Sequence, residues 1–135
     1  MKIPYTDLIP TVKAYFKTIW QDQWDSSTDF LSIISPSIGR KVYDPGLTRR
    51  EQVVLCRIRL NHTRLTNSYR MSKERPPTCD HCQLPMTMNH IMVNCNKYRH
   101  LREEHLRGST PEEIYGNADR DIITFIKECG LFQDI

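Results

Sequence analysis

The chain has 135 residues, 39% of them hydrophobic, a net charge of +3 and a mean hydropathy of -0.56. That length suits one domain with a modest core rather than a disordered chain, and no apolar run approaches the length of a membrane span. The opening MKIPYTDLIP lacks the apolar core of a secretion signal, so the five cysteines read as thiols or metal ligands of an intracellular protein, nuclear or cytoplasmic.

The charge is uneven. Residues 40–75 hold ten Lys or Arg against three Asp or Glu, a net of +7, whereas residues 108–135 carry a net of -4. A basic block of this kind suggests a polyanion partner. The plainer alternative is a solvated helix face.

In chain order, Leu8, Val12, Tyr15, Phe16, Ile19 and Trp20 recur at helical spacing. Thr6 is the expected N-cap, with Pro10 tolerable only near the first turn. Trp20 and Trp24 share a face and are expected to anchor this helix on the core. Residues 26–47, rich in Ser, Pro and Gly, read as an irregular connection that completes an N-terminal segment 1–47.

Basic central helices are expected over 48–75. Thr48 and Glu51 form a capping-box signature. Val53, Val54, Leu55, Cys56, Ile58 and Leu60 point around most of that helix, which predicts a buried central element with Cys56 in the core. Arg50, Arg57 and Arg64 are spaced by seven and would share a stripe if the helix continued. Arg57, set among apolar neighbours, is expected to be buried with an acidic partner. Arg49, Arg50, Arg64 and Arg70 are the better candidates for phosphate contacts. Thr63 or Thr66 starts a second short helix, and His62 reads as a cap beside Thr63.

The segment 76–107 carries the most specific signal. Cys79, Cys82, His90 and Cys95 form C-x2-C-x7-H-x4-C. A Cys-x2-Cys turn brings two thiolates to one side, and three cysteines with one histidine make a closed tetrahedral zinc set. The alternative, buried apolar cysteines beside a surface histidine, needs four residues to fall at ligand spacing by chance. Thr87 is placed to cap a short helix carrying His90. His81 is expected to point away.

In the acidic segment 108–135, Thr110 and Pro111 signal a helix start. Ile122, Ile123, Phe125 and Ile126 then form an apolar face, with Gly130 as a C-terminal stop and Cys129 in the core. The expected fold class is mostly α: a small irregular helical domain, 1–135, stapled by one Cys3His zinc site. No Gly-rich phosphate loop, H-E-x-x-H or acidic cluster suited to catalytic magnesium is present. A Cys3His site also leaves no open position for a zinc-bound water, so catalysis is not expected.

RREQVVLCRIRLNHTRLTNSYRM followed by PPTCDHCQLPMTMNHIMVNCNKYRHLR resembles the extreme C-terminal region of the polyprotein of jockey-like non-LTR retrotransposons. The shared form is R-R-E-x-V-x-x-x-R-(I/L)-R-x-x-H-T-x-L-T before a C-x2-C and H-I-L-x-x-C cluster. IPYTDL and FIKECGLF resemble the flanking pieces, so the likeness covers nearly the whole chain. Met86, Met88 and Met92 stand where branched aliphatics are common, and Cys56 where small or aliphatic residues are usual. The resemblance implies a zinc-binding tail that follows the endonuclease, reverse transcriptase and ribonuclease H portions and carries none of their catalytic motifs. It implies ligands at Cys79, Cys82, His90 and Cys95, and partners that are RNA or primed DNA. A structural or interaction module contacting the upstream polyprotein domains is the rival expectation.

Overall fold

The computed structural model describes residues 4–39 and 42–135. The fold is mostly helical, with no strand among the described residues. The chain divides into two compact units, Met1–Lys41 and Val42–Ile135, where the sequence suggests one domain with a break near residue 47. Arg40 and Lys41, part of the basic block, lie outside the described residues.

In the first unit, α1 (Tyr5–Asp25) starts directly after Pro4 rather than at a Thr6 cap, and runs through Pro10. Pro10 removes only the bond that the Thr6 carbonyl would receive. No α1 residue is buried: Phe16 is 61% and Trp20 59% exposed. The tryptophans therefore do not both anchor a core. Trp24 alone is half-buried, and its indole Nε1 donates to the Ser35 carbonyl at 2.8 Å. Gln21 ties the same return segment, donating to the Pro36 carbonyl and accepting from the Ile38 amide. The stretch expected to be irregular contains a short helix, α2 (Phe30–Ile34).

The second unit is built on α3 (Arg49–Arg59) packed against α8 (Asp119–Glu128). Thr48 and Glu51 close the expected capping box. α3 is not buried all round. Val54, Leu55 and Ile58 face inward, while Cys56 and Leu60 are exposed. At 3.6 residues per turn Cys56 lies about 200° around the helix from Val54, away from that buried residue.

The charge pairs differ from expectation for a related reason. Arg57 is exposed and donates to the Ile135 carbonyl at 2.6 Å. Arg59 is the arginine that meets an acid, Asp119 at 2.6 Å, with only 11% of either side chain exposed. Two more bridges join the same faces, Glu51–Lys127 at 2.7 Å and Asp44–Arg120 at 2.5 Å.

Beyond α3, Thr63 caps α4 (Arg64–Asn67), and α5 (Tyr69–Ser72) follows. α6 (Arg99–His105) leads to α7 (Pro111–Tyr115), which opens with a Thr110–Glu113 capping box and Pro111 in its first turn. α8 buries Ile122, Ile123, Phe125 and Ile126 as expected. It ends in a Schellman turn: Leu131 donates to the Ile126 carbonyl and Gly130 to Lys127, with Gly130 at φ +74°. Cys129 is only half-buried. No helix among the described residues is long and apolar enough to cross a membrane.

Candidate metal centre

The first two candidate ligands sit on a short hairpin. Thr78 and Pro85 form an antiparallel bridge, the Cys79 amide donates to the Leu84 carbonyl at 2.8 Å, and Gln83 donates back to Cys79 at 2.8 Å. Gln83 takes φ +56° to close the turn, a left-handed conformation that costs a non-glycine residue about 1–2 kcal/mol. The reward is geometric, since the turn aims the backbone N–H groups of His81 and Cys82 at the Cys79 sulfur.

The second pair comes from one irregular turn. The Thr87 hydroxyl accepts from the His90 amide at 3.0 Å, the cap expected there. The chain then winds as a π-helical turn, His90–Asn94, closed by the Cys95 amide donating to the His90 carbonyl at 2.7 Å. This i to i+5 closure stacks Cys95 directly over His90, so the x4 spacing puts both side chains at one point. π turns concentrate at functional sites. Cys95 itself is extended and ends the turn.

The four candidate ligand atoms of Cys79, Cys82, His90 and Cys95 all lie within 4.8 Å of one another. Cys79, His90 and Cys95 are buried and Cys82 is partly exposed. His90 Nε2 is buried without a hydrogen-bond partner, an expensive state for an imidazole unless an ion uses it. His81 is exposed and outside the group. The set could hold a metal ion.

The thiols are unlike one another. Burial pushes the Cys79 thiol up, but the Cys82 and His81 amides and the His90 ring outweigh it and hold the group down to about 6. Burial drives Cys95 up to about 11, and the neighbouring Cys79 and Cys82 thiols add to this against the pull of the Lys97 amide. A Cys3His group of this kind binds a cation most readily when all three thiols give up their protons.

Sequence reasoning missed the residue that locks this geometry. Arg102 on α6 donates from Nε to the Met92 carbonyl at 2.7 Å, and from one terminal nitrogen to the carbonyls of Ile91 at 3.1 Å and Cys95 at 2.9 Å. It satisfies the open carbonyl end of the π turn and sets a positive charge beside the thiols. A second trio of possible ligands, Glu104, His105 and Glu128, is mostly exposed and reads as an ion pair tying α6 to α8, with His105 Nε2 2.7 Å from Glu128.

The expected phosphate contacts divide. Arg50 and Arg64 both reach the Gln133 carbonyl, at 3.5 and 3.2 Å. Arg49 is exposed in the first turn of α3, and Arg70 lies against its neighbour Tyr69. His62, expected to cap beside Thr63, is exposed, and Asn67 receives the Thr63 amide instead. No protein family, curated protein or solved structure matches the chain.

Proposed function

We propose that this chain is a non-catalytic, zinc-stabilised module that binds nucleic acid, RNA or a primed DNA strand, inside the cell. Its motifs favour derivation from the C-terminal tail of a non-LTR retrotransposon polyprotein. Zinc is favoured because a tetrahedral zinc–thiolate centre with bonds of about 2.3 Å has sulfur–sulfur edges of about 3.8 Å. Cys79–Cys95 and Cys82–Cys95 are both separated by 3.8 Å. Four protein ligands fill the tetrahedron, which suits a structural metal and leaves no place for a reacting water. Protein refolded with zinc should hold one equivalent, and Cys82→Ser should lose it. Full retention by that variant would mean a different ligand set.

The observation that carries the nucleic-acid reading is where the acids of the basic block go. Asp44 and Glu51 are engaged by Arg120 and Lys127 of α8. Among the described residues the block's third acid, Glu74, is in no salt bridge, and Arg49, Arg50, Arg64 and Arg70 have no carboxylate partner. A polyanion would approach that side and release counterions on binding. Affinity for single-stranded RNA and DNA should fall steeply with salt. Replacing Arg49, Arg50, Arg64 and Arg70 together by Ala should lower affinity and flatten the slope with zinc content intact. No binding by the parent at low salt would defeat this reading.

A second reading, a structural or interaction module of the polyprotein, is favoured by the exposed apolar stripe of α1, Leu8, Val12, Tyr15, Phe16, Ile19 and Trp20. Under it, the chain should form a complex with the reverse transcriptase and ribonuclease H portion of such a polyprotein, lost on Phe16→Asp.

A further inference from the structure

We propose that the phosphodiester backbone of the nucleic acid enters one cleft in the Val42–Ile135 unit, gripped by Arg50, Arg57 and Arg64. The proposal rests on the nucleic-acid reading above. It moves the weight from the dispersed set Arg49, Arg50, Arg64 and Arg70 to a single site that includes Arg57. The cleft has a volume of about 570 Å³ and is lined by these three arginines, His62, Thr63 and the main chain near Gln133 and Ile135.

The convergence follows from the chain's path. Arg50 and Arg57 are two turns apart on α3 and fall on one face. α3 then stops, and Asn61 takes φ +51°, a left-handed value that Asn tolerates better than most residues. The turn brings in α4, capped by Thr63, with Arg64 as its first residue. The spacing of seven thus survives as a shared cleft although the helix does not continue.

What the arginines touch there leaves most of their donors open to an anion. Arg57 donates to the Ile135 carbonyl, Arg64 to that of Gln133, and Arg50 to those of Phe132 and Gln133 at 3.4 and 3.5 Å. The Phe132 and Gln133 carbonyls are neutral acceptors, whereas the Ile135 oxygen belongs to the last residue of the chain, and neither Arg50 nor Arg64 is in an ion pair among the described residues. Each guanidinium has five N–H donors, so most remain available. The main-chain contacts hold the three forks in place. Their stems are also guided: Arg50 lies 5.7 Å over the Phe132 ring. By contrast, Arg59 and Arg102 direct their donors into the fold. Arg50 and Arg64, without a carboxylate partner among the described residues, and Arg57, held on the Ile135 oxygen, converge on one cavity and suit a group with several charged oxygens, and phosphate is bound by Arg forks in this way. Adjacent phosphates on one strand would let all three contribute together.

The test titrates the zinc-loaded full chain with labelled single-stranded RNA and DNA oligonucleotides of mixed sequence over a range of salt. Arg57→Ala and Arg64→Ala are compared with Arg99→Ala, the same charge change at an exposed α6 position paired to Glu103. The double variant should lose about tenfold or more in affinity, and its salt slope should drop by about 0.7 for each phosphate contact removed, while Arg99→Ala stays within about twofold. Since Arg57 also holds Ile135, a measurement on the parent protects the test from misfolding. On titration, the side-chain Nε–Hε resonances of Arg50, Arg57 and Arg64 should shift and those of Arg59 and Arg102 should not. If the parent binds with a steep salt slope but all three single variants lose affinity alike, or other arginine resonances move, the cleft is wrong and the nucleic-acid reading stands. If the parent binds neither oligonucleotide at low salt but captures a glutamate-rich peptide, both fall.

Discussion

Arg102 spends its guanidinium on the main chain of the π turn rather than on an anion. The turn leaves the carbonyls of Ile91, Met92 and Cys95 without helical partners, and one side chain satisfies all three. Lys, with a point charge and no fork, could reach one or two of them. Arg102→Ala should destabilise the folded unit by roughly 2–4 kcal/mol, since each bond to a charged donor contributes about 1.5–3 kcal/mol and water recovers part of it. It should also weaken metal binding by about ten- to a hundredfold, the usual effect of losing a supporting partner of a ligand. Denaturant melts and a chelator competition measure the two effects. Unchanged metal affinity would reduce Arg102 to a packing role. The four candidate ligands were legible in the sequence as a group, because a shared ion would fix their spacing in the chain. Arg102 was not legible: its role exists only once a π turn has exposed carbonyls seven to eleven residues before it.

At the level of elements, the helix starts were readable and the helix faces less so. Thr48, Thr87 and Thr110 cap as expected and Thr63 is the one of the two candidates, Thr63 and Thr66, that does, because a cap bond spans three residues and needs nothing from the rest of the fold, while the Thr6 cap expected for α1 is not formed. Which face of α3 is buried depends on where α8 lies, so Cys56 and Leu60 were misplaced and Arg57 was preferred to Arg59. The α3–α8 seam has a consequence for pH. Glu51 accepts from Lys127 and from the amide and hydroxyl of Thr48, and these together hold its carboxyl down to about 2. A carboxyl with a depressed folded value stabilises fully above its unfolded value, near 4.5, and the contribution is lost as pH falls toward 2. Glu51→Gln should therefore be less stable than the parent at neutral pH, with the difference shrinking between about pH 4.5 and 2. Denaturant midpoints of the two proteins across that range check it. A constant gap would mean the carboxyl's charge does not matter there.

At the scale of the whole molecule, the candidate metal centre and the hydrophobic core are one body of packing in the Val42–Ile135 unit. Met88, Ile91 and Met92 are fully buried, and they lie between the candidate ligand residues in sequence. Structural zinc contributes about 10–16 kcal/mol in small zinc-binding peptides, against a total stability of about 5–15 kcal/mol for an ordinary domain. Removing the metal should therefore unfold this unit well beyond residues 76–107. The chain supplies separate reporters for its two units, because both tryptophans, Trp20 and Trp24, belong to Met1–Lys41. Trp24 is fixed there by its bond to the Ser35 carbonyl. A strong chelator should abolish most of the cooperative thermal transition seen by circular dichroism, while tryptophan emission stays close to that of the metal-loaded protein. Restoring zinc should bring the transition back. An unchanged melting curve after chelation would show that the fold does not depend on the ion. A tryptophan shift that tracks the loss of helix would show that the two units unfold together and that the division near residue 41 has no energetic counterpart.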